Sequence, residues 1–158
     1  MSLDAGTIAV LREALEDEYR ARATYRKVIA VFGPIRPFVN IVEAEDRHAK
    51  ALLRLFERFE IDAPPDTWAN RIEAPRTLAD ACRAGIAGEI ENEAMYECHL
   101  KQVKIPEIRS VLQRLQRASK ENHLPAFRRC LEREGIQTGR PRSRPGHLAC
   151  GGRRRRRD

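Results

Sequence analysis

Three glutamates stand where a helical protein normally places leucine. Glu18, Glu45 and Glu89 are in phase with apolar residues three and four positions away, so each falls on a stripe that should face a core. An isolated buried carboxylate costs several kcal/mol or takes up a proton. Three of them at one level need a shared partner, and metal ions are the economical choice. Glu45 and His48 form a Glu-x-x-His unit, whose ends lie about 60° apart on a helix and one turn along, so both reach one metal region. A later helix carries His123. The alternative reading leaves the carboxylates half-exposed and paired with Arg22, Arg47 or Lys120.

Two tyrosines sharpen the pattern. Tyr25 follows Glu18 by seven residues, and Tyr96 follows Glu89 by the same interval. Seven residues are about 700° of helix, so each phenol shares its glutamate's stripe about two turns along. From there it can donate to a metal-bound carboxylate across the core. One Glu-x6-Tyr unit in each half of the chain reads as an internal duplication.

Four helices must position these groups. The first is expected over about 7–32, stopped by Gly33-Pro34, and the second over about 38–59, opened by Arg36-Pro37. So short a link makes them antiparallel neighbours. The pattern then lapses between Glu60 and Arg76, where Pro64, Pro65, Pro75 and the lone tryptophan, Trp68, suit a crossover running the length of a bundle, with Trp68 as its apolar plug. Thr77, with Asp80 three residues on, opens a third helix. A break near Lys104-Ile105-Pro106 leads to a fourth over about 107–134. With the turn at Ile105, Glu89 lies 16 residues before it and His123 18 after, so the two face each other. Pro125, two residues past His123, predicts a kink there or a local bulge. The expected fold class is all-α, an antiparallel four-helix bundle of two hairpins joined by a long crossover, over residues 1–136. Residues 137–158 are expected to form a disordered, Arg-rich tail.

On these residues the chain resembles the ferritin-like superfamily, which includes bacterioferritin and rubrerythrin. There the first and third helices each give a Glu, and the second and fourth each give Glu-x-x-His. The segments DEYRARATYRKVIAVFGPIRPFVNIVEAEDRHAKAL and ASKENHLPAFRRCLE are more closely similar to the ferritin-like domain-of-unknown-function family 2202. The resemblance implies metal ligation by Glu18, Glu45, His48, Glu89 and His123. It also implies iron as the cofactor, one ion or two, with manganese and zinc suited to the same donors, and oxidation of Fe(II) by oxygen or peroxide. The sixth ligand position, three residues before His123, holds Lys120 rather than Glu. Turned inward, its ammonium would take one metal's place and pair with Glu89, leaving a non-enzymatic scaffold. Turned outward, it would leave Ser119, Glu93 or water to complete the second site.

Composition bounds the remaining readings. The 158-residue chain carries a formal charge of +7, but residues 1–139 hold 22 basic and 22 acidic side chains. The excess belongs to the last 19 residues, with eight Arg against one Asp. A basic nucleic-acid-binding domain should fold its cations onto one face, so nucleic acid is suggested only weakly, through the tail. No apolar run reaches the roughly 18 residues of a membrane span, and no signal-peptide order is present, so a cytoplasmic protein is expected, with a homodimer as one option. The cysteines, Cys82, Cys98, Cys130 and Cys150, make no CxxC pair, which excludes a zinc ribbon, a thioredoxin motif and a rubredoxin-like module. Cys82 and Cys130 should lie close together at the open end of the second hairpin. Buried thiols are expected there, although the register also permits a disulfide. Cys98 and His99 point about 100° apart on one helix and are not expected to share a ligand.

Overall fold

The computed structural model describes residues 2–135, so the expectation for residues 137–158 lies outside the described residues. Within them the chain is all-helical, with no strand. Helix α1 spans Ala5–Phe32, α2 Phe38–Arg58 and α3 Leu78–Gln102. The fourth rod is segmented into α4 (Pro106–Ala118), a π-helical turn (Ser119–His123) and α5 (Leu124–Arg133). No helix among the described residues is long and apolar enough to cross a membrane.

Local chemistry sets the boundaries. Asp4 caps α1 by accepting from the Thr7 backbone N–H at 2.9 Å, and Gly33, at φ 87°, closes it in a backbone region that side chains disfavour. Thr77 caps α3 through the Asp80 N–H at 3.1 Å. Pro106 opens α4, where a missing N–H costs nothing.

Helix α1 packs on α2, and α3 packs on α4, the π turn and α5; the two pairs meet through α1–α3 and α2–α4 contacts. Their apolar faces form two clusters. One gathers Leu11, Leu15, Leu52, Phe56, Leu112 and Leu115; the other gathers Tyr25, Phe38, Phe127 and Leu131 around Cys82 and Cys130. Along every rod the polar residues of interest fall where one cluster gives way to the other. Gly85 lets α3 approach closely, since a Cβ there would meet the Phe127 ring at 2.6 Å.

The crossover is anchored as its composition suggested. Trp68 packs against the first cluster, donates Nε1–H to Glu16 at 2.7 Å, and carries the Arg71 guanidinium 3.9 Å over its ring.

One expectation is met in one of its two forms and one requires correction. The fourth rod carries the local bulge that Pro125 allowed: Leu124 N–H bonds to the Ser119 carbonyl, five residues back, in place of the α-helical partner. Proline at position 125 has no N–H to give Glu121, and the widened turn absorbs that loss. Cys82 and Cys130 form a disulfide rather than a pair of thiols. Their Cα atoms lie 5.9 Å apart on the facing rods, inside the span a disulfide bridges.

Candidate metal centre

All five residues singled out as ligands converge in the layer between the two apolar clusters. Glu18, Glu45, Glu89 and His123 are buried, and His48 is nearly so. Glu45 stands at the centre. One of its oxygens lies 3.0 Å from His48 Nδ1, and the other lies 3.2 Å from His123 Nδ1. Glu18 flanks His48 at 3.2 Å, and Glu89 flanks His123 at 3.4 Å. Two donor triads result, Glu18–Glu45–His48 and Glu45–Glu89–His123, each with its ligand atoms within 4.8 Å of one another. The imidazoles stack 5.5 Å apart at 22°, with Glu45 serving both.

The tyrosines cross between halves. Tyr25 of α1 donates to Glu89 of α3 at 2.9 Å, and Tyr96 of α3 donates to Glu18 of α1 at 2.5 Å. Each phenol therefore orients the other half's carboxylate: Glu18 keeps its second oxygen toward His48, whereas Glu89 shares one oxygen between Tyr25 and His123 and gives the other to Ser119. This is the contact that the Glu-x6-Tyr spacing predicts.

At the sixth position the structure selects the outward orientation of Lys120. Ser119, not Lys120, faces the core, and its hydroxyl donates to Glu89 Oε2 at 2.5 Å. Ser119 and His123, four residues apart, share a helix face, and the wider π turn carries Lys120 further from it. Lys120 is 63% exposed and pairs with Glu93 at 3.2 Å, so Glu93 is also turned away from the layer. Neither of them completes the second triad, and no lysine charge replaces a metal there. Exposed pairs of this kind contribute little. Lys120→Ala should therefore change stability by less than about 0.5 kcal/mol. Ser119→Ala removes a buried donor from Glu89 and should cost about 1–3 kcal/mol. Chemical denaturation of both variants checks the contrast.

The protonation states show how crowded the layer is. Burial, reinforced by the neighbouring charge of Glu45, pushes the Glu18 carboxyl up to about 7. Burial works in the same sense on Glu45, but the adjacent imidazoles of His123 and His48 outweigh it and hold this carboxyl below its usual range. Burial opposes charge on His48, yet Glu18 and Glu45 raise it to about 9; Glu45 and Glu89 likewise raise His123 to about 10. Tyr25 and Tyr96, buried beside carboxylates, are pushed well above the ordinary phenol value and stay protonated donors.

The donor set fits a pair of first-row divalent ions. Carboxylate oxygen and imidazole nitrogen are the ligands such ions take. His123 Nδ1 is buried without a well-formed hydrogen bond while aimed between two carboxylates, as a ligand nitrogen would be. Three carboxylates offset three of the four charges of two divalent ions.

Several polar contacts were not legible from spacing. Asp17 lies beside the layer, accepting from Asn92 at 2.8 Å and pairing with Arg20 at 2.5 Å; burial raises its carboxyl. His99 is buried and reaches Glu13 at 3.0 Å, well separated from the triads by the Tyr96 ring. Asn92, three residues past Glu89 and four before Tyr96, shares their buried stripe, but its partner Asp17 comes from another helix and could not be read from spacing.

No protein-family model matches the sequence, and no curated protein does. Among solved structures, the fold is similar to that of a hypothetical protein from Methanococcus jannaschii DSM 2661, with a TM-score of 0.78 and 23% identity. The match covers 87% of this chain and 86% of that one, so the two share their helical architecture over nearly their whole lengths.

Proposed function

We propose that the chain is a ferritin-like metal protein, an antiparallel four-helix bundle of two hairpins whose core holds two divalent ions, with iron the leading candidate. The observation that carries this reading is Glu45, a buried carboxylate with one oxygen toward each of two imidazole nitrogens and a further glutamate beyond each. Glu18 and His48 would hold one ion, Glu89 and His123 the other, and Glu45 would bridge them. When bound, a pair of irons supplies two electrons to oxygen or peroxide, and oxidation of Fe(II) is the reaction we assign. The protein's own contribution is to fix the carboxylates through Tyr25, Tyr96 and Ser119 in a layer flanked by two apolar clusters. Manganese or zinc would suit the same donors.

A second reading, a non-enzymatic scaffold, has one observation in its favour. With both imidazoles protonated, the layer is largely self-neutralising, since two positive charges face three carboxylates. Metal content separates the two readings. After anaerobic Fe(II) loading and gel filtration, elemental analysis should find about two irons per chain. A chain that retains none would be the scaffold.

Proton release gives an independent check. A metal takes the neutral imidazole, so His48 and His123 must each lose a proton held up to about pH 9 and 10. Glu18, near half-protonated at pH 7, must lose its remaining share. Raised histidine values favour the metal-free fold below their unfolded value of about 6.5, and that advantage disappears as pH climbs through 9 to 10. Metal affinity should therefore rise with pH across that range. Loading at pH 7 in weak buffer should release between two and three protons per chain, read with an indicator dye. Metal uptake without proton release would place the ions elsewhere.

A further inference from the structure

A cleft of about 330 Å³ opens between α1 and α3, beside Ile72 of the crossover, and its lining reaches the inner carboxylates. Its buried residues are Asn92 and, deeper, Tyr25, Glu45 and Glu89, which belong to the second triad and its tyrosine. Its outer residues include Asp17, Arg20 and Glu91. Asp17 is held between Arg20 at 2.5 Å and Asn92 at 2.8 Å, and Arg20 also lies 3.9 Å from Glu91. One guanidinium thus faces two carboxylates at the mouth, with two more carboxylates on the floor. The α3 wall is built from Ala84, Ala87 and Gly88, side chains too short to fill the space. A Cβ at Gly88 would meet nothing within 4 Å.

We propose that this cleft is the route by which a hydrated divalent cation reaches the Glu45–Glu89–His123 triad, and that Asp17 receives the ion by exchanging Arg20 for it. The inference rests on the metal-centre reading. The mouth and floor offer a divalent cation the carboxylate oxygens it takes as ligands, and the imidazolium protons of His48 and His123, which offset the floor at neutral pH, are displaced as the ion binds. The competing route is the edge of the layer at His48, whose side chain is 13% exposed.

Gly88 supplies the test, because it lines the cleft without touching a ligand. In the series Gly88→Ala, Gly88→Val and Gly88→Leu, uptake of Co(II) is followed by stopped-flow absorbance, and capacity is measured at equilibrium. The expected result is an uptake rate that falls in order of side-chain size, at least about tenfold for leucine, with capacity unchanged. Asp17→Asn, which keeps an acceptor for Asn92, should slow uptake about tenfold at unchanged capacity and flatten its dependence on salt. A rate indifferent to the size of residue 88, or a capacity that falls along the series, overturns the route while leaving the centre standing. A wild-type rate in Asp17→Asn overturns the part assigned to that carboxylate. A wild-type protein that takes up no Co(II) overturns the centre and the route together.

Discussion

Glu45→Ala should lose both metal ions, whereas Glu18→Ala and Glu89→Ala should each lose one. The asymmetry follows from position rather than chemistry, since all three are buried glutamates. Glu45 belongs to both donor triads; Glu18 and Glu89 belong to one each. Removing an outer partner of a ligand typically weakens a metal about 10 to 100-fold, and removing a bridging ligand should exceed that for both ions at once. Glu45→Gln is the companion variant, because it keeps the shape and one acceptor oxygen while deleting the charge. Elemental analysis after anaerobic Fe(II) loading reads the stoichiometry, and circular dichroism confirms that the helices remain. One ion retained by Glu45→Ala would show that the carboxylate is not shared.

Deleting the Cys82–Cys130 disulfide has the largest expected effect on stability. The bridge spans 48 residues of sequence, a loop whose closure entropy corresponds to about 4 kcal/mol in the chain-entropy account. For a chain of this size that is a fall in Tm on the order of 10 °C. The loop contains α4 and the π turn entire, so the bridge fastens the Glu89-bearing helix to the rod that carries His123. Cys82→Ala/Cys130→Ala, followed by thermal unfolding, measures it. The packing defect is small beside the entropy, because alanine keeps both positions apolar. A shift of only a degree or two would mean that the surrounding aromatic cluster already holds the two rods in place.

How much of this could be read from residues alone divides along a physical line. Caps, proline stops and helical phase are local, and they placed three helices to within two or three residues. The convergence of Glu18, Glu45, His48, Glu89 and His123 was also legible, because level and phase in a helical hairpin are arithmetic. Helical phase put Ser119 on the inner stripe and left Lys120 open between inward and outward, because its orientation depends on the local winding. One extra residue in a turn shifts the phase of everything beside it, and Pro125 marked the spot without saying whether the helix would kink or bulge. The disulfide depended on a Cα separation that spacing could bound but not choose. Asn92 and His99 show the remaining limit: each lies three residues past a buried stripe position, Glu89 and Tyr96, so its phase allows burial, but the partners that hold it, Asp17 and Glu13, come from another helix.

The crossed phenols have a consequence for how the protein opens. Tyr25 on α1 holds a carboxylate of α3, and Tyr96 on α3 holds a carboxylate of α1. Neither helix can fray through its middle without stranding a buried acceptor on the other, and a stranded acceptor costs about 1–3 kcal/mol. Local breathing that elsewhere stays within one helix therefore becomes a shared event here. The central turns of α1 and α3 should exchange their amide hydrogens as a single unit, although they are more than sixty residues apart in sequence. The layer that brings the ligands together is thus also where the two halves of the chain lose their independence.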